Sequence, residues 1–313
     1  MAINLTDVLL IQDVFLFICV LISFLSQLTL LFKHKCLRQR YSPILLLNVG
    51  LWCITTFCGI LYSGYLTIIS TANRNGILIF IFGTCWVSFS ISVSTSVTFL
   101  LLDRIYILST PTDYQFKRNR LLFLSFFCCT FVVLFVVLSL ALTELPVDEA
   151  TLCNSFGCVL KHHHGLYFTI TKIVTGFVNI VTALVFERIL FKYTNGRAIR
   201  KQFKKANFLT LIAAISEFFC NFLPNMIFLL LSQLEMPGNE KLGPYAGLMI
   251  GIDALMNAFI YRFIITSQRR NSKSSLFTVT PSNTAITSNL RHLSASKFFH
   301  NNHPHVTTRV SPF

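Results

Sequence analysis

An acidic and a basic residue stand side by side near the end of a long apolar stretch in this 313-residue chain. They are Asp103 and Arg104, and they are followed by Pro111 and Tyr114. A carboxylate next to a guanidinium can form a charge-assisted ion pair. Release of that pair would free Arg104 for another partner, so the pattern predicts a switch. The alternative is that Arg104 is simply one of several basic residues at a membrane edge.

Two aromatic residues and a proline lie close together later in the chain. Phe218 and Phe222 are four residues apart, so they share a face on a helix. Pro224 removes a backbone hydrogen bond from such a helix and kinks it. We expect a hinge here, with Phe222 as its sensor. Ordinary packing is the alternative, because the chain has 32 Phe residues.

Three polar residues follow at helical spacing in the last apolar stretch. Asn257 and Tyr261 are one turn apart and could make polar contacts with the second and third spans. Asp253 lies one turn before Asn257, and an ionisable group at membrane depth is a functional candidate by default. We expect Asp253 to contribute to a polar centre. A neutral, hydrogen-bonded aspartate is the alternative.

The elements that position these residues are membrane spans. The chain is 54% hydrophobic and 12% charged, whereas a soluble domain carries about 25% charged residues. A spanning helix needs roughly 20 mostly apolar residues. We therefore predict an all-α membrane protein, a bundle of seven transmembrane helices within residues 1–265, followed by a disordered cytoplasmic tail over 266–313. The spans are predicted at 14–32, 44–70, 77–102, 121–143, 166–186, 208–231 and 245–265.

The distribution of basic residues predicts the orientation. With the N-terminus outside and the C-terminus inside, the inner segments hold 22 of the 26 Lys and Arg residues and the outer segments hold three. The net charge of +14 is therefore loop charge facing membrane lipid, and we expect no nucleic acid partner. Asn4 begins a glycosylation sequon on the predicted outer side.

Two of the ten cysteines fall in a predicted outer loop, at Cys153 and Cys158. We expect a disulfide between them, and pairing of one of them with Cys85 is the alternative. The cysteines within the spans are small apolar packers. No catalytic motif occurs in the sequence, so we expect neither an enzyme nor a cofactor, and no metal site.

Seven spans with these three motifs resemble the rhodopsin-like G protein-coupled receptors. That family has D-R-Y-x5-P-x2-Y, F-x3-W-x-P and N-P-x2-Y, and this chain departs from it at Ile105, Phe222 and Ala258. The relaxed motifs and the short outer N-terminus look like the nematode serpentine chemoreceptors. The resemblance implies a chemosensory receptor in the plasma membrane or a sensory cilium. It would bind a small external molecule and promote nucleotide exchange on a heterotrimeric G protein.

The resemblance also places a ligand pocket between the helices, with Trp86, Ser90, Lys172 and Phe222 as its expected residues. Lys172 could meet a ligand carboxylate, but extension of its amine to the outer interface is the alternative. We expect the G protein to contact six basic residues: Arg104, Arg197, Arg200, Lys201, Lys204 and Lys205. Anchoring to anionic lipid is a compatible role for the last five. A seven-span ligand-gated channel and a small-solute transporter are the alternative functions.

Overall fold

A computed structural model of the chain describes residues 5–33, 42–69, 73–110, 114–145, 147, 151, 153, 155–160, 166–194, 201–233 and 245–277. This part of the chain is almost entirely helical. Seven long helices follow one another, and a one-turn helix, Phe156–Val159, lies between the fourth and fifth. The long helices are α1 (Leu5–Lys33), α2 (Pro43–Ile68), α3 (Gly76–Ser109), α4 (Tyr114–Glu144), α5 (Leu166–Thr194), α6 and α7 (Tyr245–Phe277).

The sixth long helix, α6, has three parts. Two α-helical parts, Lys201–Glu217 and Leu223–Gln233, are joined without a break by a π-helical segment, Phe218–Phe222. We call the end of the bundle at which α3 finishes the Arg104 end, and the opposite end, where α3 begins after Asn75, the Asn75 end.

Six of the long helices, α1 to α6, contain a stretch long and apolar enough to cross a membrane. Except for α2, the helices are longer than the predicted spans, mostly at the Arg104 end, where α3 continues to Ser109 and α7 to Phe277. Hydropathy marks only the part of a helix that lies in hydrocarbon, and charged residues beyond it are good helix formers. At the Asn75 end, α1 begins at Leu5, and Asp13, expected just outside the span, is buried within the bundle.

The third helix lies at the centre of the bundle. Of its most apolar window, 67% is buried, whereas the corresponding share is 17% in α4 and in α5. Small residues allow the other helices to approach it closely, since Ser88, Ser90, Ser92, Ser94 and Ser96 are all buried. Helix α3 is therefore the element through which polar contacts between the other helices can pass.

Local signals explain where the helices begin. The Ser42 side chain accepts a hydrogen bond from the Ile44 amide, and Pro43 occupies the first turn of α2. The Asn75 side chain accepts from the amides of Ile77 and Leu78 at the start of α3. These caps fix the depth at which α2 and α3 enter the bundle.

The chain divides into two compact units, Met1–Ser267 and Gln268–Phe313. The first unit holds every side-chain contact described below. In the second unit the described backbone is helical to Phe277, so α7 continues 12 residues beyond the predicted end of the last span at 265. The rest of the predicted tail, residues 278–313, lies outside the described residues.

Candidate functional site

Asp103 and Arg104 are both buried near the Arg104 end of α3. Asp103 accepts a hydrogen bond of 2.6 Å from the Tyr114 hydroxyl. Its second carboxylate oxygen and the Arg104 Nε atom have no hydrogen-bond partner. No ion pair joins these two described residues, so the predicted pairing is wrong. Consecutive helix residues point about 100° apart and do not face each other, and Tyr114 at the start of α4 bonds Asp103 instead.

Tyr114 is a stable donor to Asp103. Burial and the hydrogen bond to the Asp103 carboxylate raise the pKa of Tyr114 to about 12. The hydroxyl therefore keeps its proton at physiological pH, and Arg104 is left with an unpartnered buried donor. Pro111, the other residue of this motif, lies outside the described residues.

Tyr261 links three helices at the same end of the bundle. Its hydroxyl donates to the Asn48 side-chain oxygen on α2 at 2.7 Å. The Asn48 amide in turn donates to the Ser96 hydroxyl on α3 at 2.6 Å. Sequence analysis did not single out Asn48, although a buried asparagine within an apolar stretch was a usable signal.

Asp253 is fully buried and both its carboxylate oxygens are hydrogen bonded. One oxygen accepts from the Ser216 hydroxyl and, at 2.7 Å, from the Asn257 amide. The other accepts from the Asn221 amide at 2.7 Å. We call Ser216, Asn221, Asp253 and Asn257 the Asp253 cluster. It joins α6 to α7 and satisfies a group whose unpaired burial would be costly.

Lys172 contacts this cluster from α5. Its Nζ atom donates to the Asn221 side-chain oxygen at 2.6 Å and lies 5.6 Å from the centre of the Phe168 ring. Lys172 is 2% exposed, so the alternative in which its amine extends to the outer interface is wrong. The carboxylates of Glu217 and Asp253 attract the ammonium group into the bundle.

Glu217, one residue before the π-helical segment, reaches α3. One of its carboxylate oxygens accepts from the Ser94 hydroxyl at 2.7 Å, and the other has no hydrogen-bond partner among the described residues. The Ser94 carbonyl accepts from the Asn179 amide of α5 at 3.0 Å, and Thr98 also donates to Asn179. Helices α3, α5, α6 and α7 are thus joined by polar contacts at the same depth.

The predicted hinge coincides with the π-helical segment. The rings of Phe218 and Phe222 stack with their centres 5.7 Å apart. Phe222 packs against α5, where a Cβ atom added to Gly176 would lie 2.8 Å from its ring. The backbone carbonyl of Phe218 accepts from the Leu223 amide, five residues on, immediately before Pro224. A widened turn is one way a helix accommodates a proline within a membrane.

Trp86 of α3 contacts α2 and α7, whereas Lys172 and Phe222 lie on α5 and α6. Its ring stacks on Tyr62 of α2 with a separation of 5.1 Å. Cβ atoms added to Gly59 of α2 or to Gly247 of α7 would lie 2.9 Å and 2.8 Å from it. Ser90, one turn further along α3, donates to its own helix at the Val87 carbonyl. Trp86 therefore packs against α2 and α7, whereas Lys172 and Phe222 lie where α5 meets α6.

A disulfide joins Cys153 to Cys158 in the segment between α4 and α5, and Cys85 is a free thiol. The loop it closes carries Phe156 into the Asn75 end of the bundle. Phe156 is buried, its ring lies over Gly83 of α3, and its amide donates to the Tyr62 hydroxyl at 2.8 Å. Arg74 bonds the Cys153 carbonyl and also the Leu66 carbonyl at the end of α2.

Several predicted residues cannot be placed. Asn4, Arg197 and Arg200 lie outside the described residues. The backbone of Lys201, Lys204 and Lys205 belongs to the first part of α6, but their side chains lie outside the description. Within the described part of the chain, no group of three or more His, Cys, Asp or Glu residues could hold a metal ion.

The sequence model of the serpentine type 7TM GPCR chemoreceptor family Srbc matches residues 5–269, which include all seven long helices and the polar contacts between them. The chain belongs to the Srbc family. It is accordingly a multi-pass membrane protein of the serpentine seven-transmembrane chemoreceptor class. No curated protein matches the chain.

In this Srbc chain, the described polar residues form contacts between helices. The Asp253 cluster, Glu217 and Lys172 lie at mid-depth, and Arg104 lies three turns further along α3 than Ser94. Side-chain hydrogen bonds at mid-depth connect α3, α5, α6 and α7.

Proposed function

We propose that this Srbc chain is a G protein-coupled chemosensory receptor with its N-terminus outside the cell and its tail inside. A small external molecule binds between the helices and stabilises an arrangement that promotes nucleotide exchange on a heterotrimeric G protein. The 22-to-3 division of basic residues supports this orientation. The family match supports the receptor class.

The proposed pocket uses Lys172 and Phe222, together with Trp86 and Ser90 of α3. Lys172 offers the only side-chain ammonium group among the described buried residues, and Phe222 presents an aromatic face on the neighbouring helix. A ligand that contacts both residues would act on the Asp253 cluster through Lys172, which is hydrogen bonded to Asn221. Ligand contact can therefore favour one packing of α5 to α7 over another, which is a shift of population between two states.

Arg104 carries the proposed coupling to the G protein. The observation that supports this role is its position: it is buried at the Arg104 end, it has no ion pair with Asp103, and its Nε atom is unpartnered. Movement of the first part of α6 would open a path from Arg104 to the cytoplasm. The basic residues proposed to form the rim of that opening are Arg197, Arg200, Lys201, Lys204 and Lys205.

The test compares two arginine variants at the same end of the bundle. Arg104→Ala should reach the cell surface at the level of the parent protein. It should not stimulate nucleotide exchange on a purified heterotrimer, either alone or with small organic molecules that a screen on the parent protein identifies as activators. Arg120→Ala is the control, because it removes one positive charge from an exposed position at the start of α4. Full exchange activity in Arg104→Ala would exclude the coupling role, and equal losses in both variants would indicate a general charge effect.

A further inference from the structure

The π-helical segment of α6 contains one residue more than a regular helix would use. Its hydrogen bond runs from the Leu223 amide to the Phe218 carbonyl, a span of five residues instead of four. Pro224 offers no amide to the Cys220 carbonyl, and in a regular turn its ring presses against that carbonyl and kinks the helix. Phe219, in the middle of the segment, faces outward and is 58% exposed. It is the most exposed residue of the segment.

Asp253 contacts both sides of this widened turn. Ser216, just before the segment, and Asn221, within it, each donate to the Asp253 carboxylate. These two residues are five apart, so in a regular α-helix they would point about 140° away from each other. The widened turn brings both to one face. The two hydrogen bonds to Asp253 and the π-helical conformation therefore stabilise each other.

Asn221 also connects this arrangement to α5. Its amide group is used twice, because the oxygen accepts from Lys172 and the nitrogen donates to Asp253. Displacement of Lys172 would remove one of the two contacts that orient Asn221. The widened turn is thus linked through Asn221 to Lys172, the residue proposed to contact the ligand.

We propose that the π-helical segment Phe218–Phe222 is a register switch, held in its widened form by Asp253 through Ser216 and Asn221. When Asn221 is released, the widened turn moves toward the Arg104 end, and each residue it passes rotates by about 100°. Beyond Glu217 and Ser216, the residues that it passes include Ala214 and Ala213, which pack against Val97 of α3 and Phe186 of α5. The inference rests on the proposed receptor function only for its signalling consequence.

Deletion of Phe219 tests whether the segment contains an inserted residue. The deletion leaves Ser216 and Asn221 four residues apart, so an α-helix kinked at Pro224 can present both to Asp253 while every other helical face is kept. We expect cell-surface levels within twofold of the parent protein. The control is deletion of Phe57, a half-exposed phenylalanine in the middle of α2, which rotates Gly59 and Tyr62 away from α3 and should lower surface levels at least tenfold. A loss for the Phe219 deletion as large as for the control would overturn the proposal.

A fluorescence measurement tests whether the segment moves. A bimane label on Ile215→Cys, a lipid-facing position one turn from the segment, reports rotation as a shift in its emission maximum. Asn221→Ala should shift the emission in the full-length helix, and Asn225→Ala should not. Asn225 is the matched control because it is a buried asparagine on the same helix that donates to the Asn221 backbone carbonyl and not to Asp253.

The two variants combined decide the result. In protein that lacks Phe219, Asn221→Ala should produce no emission shift, because no widened turn remains to move. A shift of equal size with and without Phe219, or no shift in the full-length helix, overturns the register switch. Basal nucleotide exchange measured on the same proteins should rise at least threefold for Asn221→Ala. If the emission shifts as expected but no variant stimulates nucleotide exchange, the register switch is kept and the G protein proposal is rejected.

Discussion

Tyr114 shows how one side chain can decide which partners two charged neighbours have. Asp103 is fully buried. Within the described residues, one of its carboxylate oxygens accepts a hydrogen bond from the Tyr114 hydroxyl, and the other oxygen has no partner. A buried carboxylate is stable only when hydrogen bonded or paired. The tyrosine therefore stabilises the charge on Asp103 and leaves Arg104 available for a different contact.

Replacement of this tyrosine should lower stability. Tyr114→Phe removes the donor and leaves a buried carboxylate with no partner, which costs on the order of 1–3 kcal/mol or more for a charged group. We expect a lower midpoint of thermal unfolding for the purified protein in detergent. The control is Tyr106→Phe, because the Tyr106 side chain is exposed, makes only a ring contact with Lys117 among the described residues, and keeps that ring in the variant. Equal midpoints for Tyr114→Phe and the parent would contradict the assignment of this hydrogen bond.

The same contact gives a pH dependence with a definite sign. The pKa of Tyr114 is raised from its ordinary value of 10.0 to about 12, so the folded protein holds this proton more tightly than the unfolded chain. The stability that follows is fully present below about pH 10 and is lost as the pH rises toward 12. The difference in midpoint between parent and Tyr114→Phe should therefore be constant up to pH 9 and should shrink above pH 10.

At the scale of the elements, close approach between helices depends on glycines that face large side chains. Gly59 of α2 lies against the indole of Trp86, and an added Cβ atom would be 2.9 Å from its Nε1 atom. Tyr62, one turn further along α2, stacks on the same indole. The Trp86 indole therefore sets the distance between α2 and α3 at this depth.

A single methyl group should disturb this spacing. Gly59→Ala overpacks the contact with Trp86, and overpacking typically costs about 1–3 kcal/mol. We expect a lower midpoint of thermal unfolding and reduced surface expression. Gly50→Ala is the matched control on the same helix, because nothing lies within 4 Å of its added Cβ atom. The contact would be unimportant if the two variants unfolded at the same temperature.

Sequence patterns predicted the elements better than the contacts between them. The beginnings of α2, α3, α5 and α7 lie within one residue of the predicted spans, because hydropathy and capping residues are local signals. The contacts of Lys172 depend on the rotation of α6, which the one-residue insertion at Phe218–Phe222 alters. Hydropathy does not register such an insertion. Asp103 was assigned the wrong partner because adjacency in sequence is not adjacency on a helix.

At the scale of the whole molecule, orientation in the membrane decides which end meets the ligand. The proposed topology places the Asn75 end outside, together with the Cys153–Cys158 disulfide, which forms in oxidising compartments. The basic segments then face the cytoplasmic leaflet, whose anionic lipids attract them. Charge and disulfide are independent signals, and both favour the same orientation.

Epitope tags on the two termini test this topology. In intact cells, antibody should bind the N-terminal tag and should reach the C-terminal tag only after permeabilisation. A cytoplasmic protein antigen probed in the same cells controls for membrane integrity. Detection of the C-terminal tag alone on intact cells would reverse the orientation and place Arg104 outside, where no G protein could reach it.

The Phe156 side chain has a consequence for any molecule that enters the bundle from the Asn75 end. The ring is buried over Gly83 and is held by the disulfide-closed loop, so an incoming molecule displaces a phenylalanine as well as solvent. Returning such a side chain to water costs about 1.5–3 kcal/mol. Since each 1.4 kcal/mol is about tenfold in a dissociation constant, the apparent affinity for a ligand arriving by this route would be about ten- to a hundredfold weaker than its contacts inside would give.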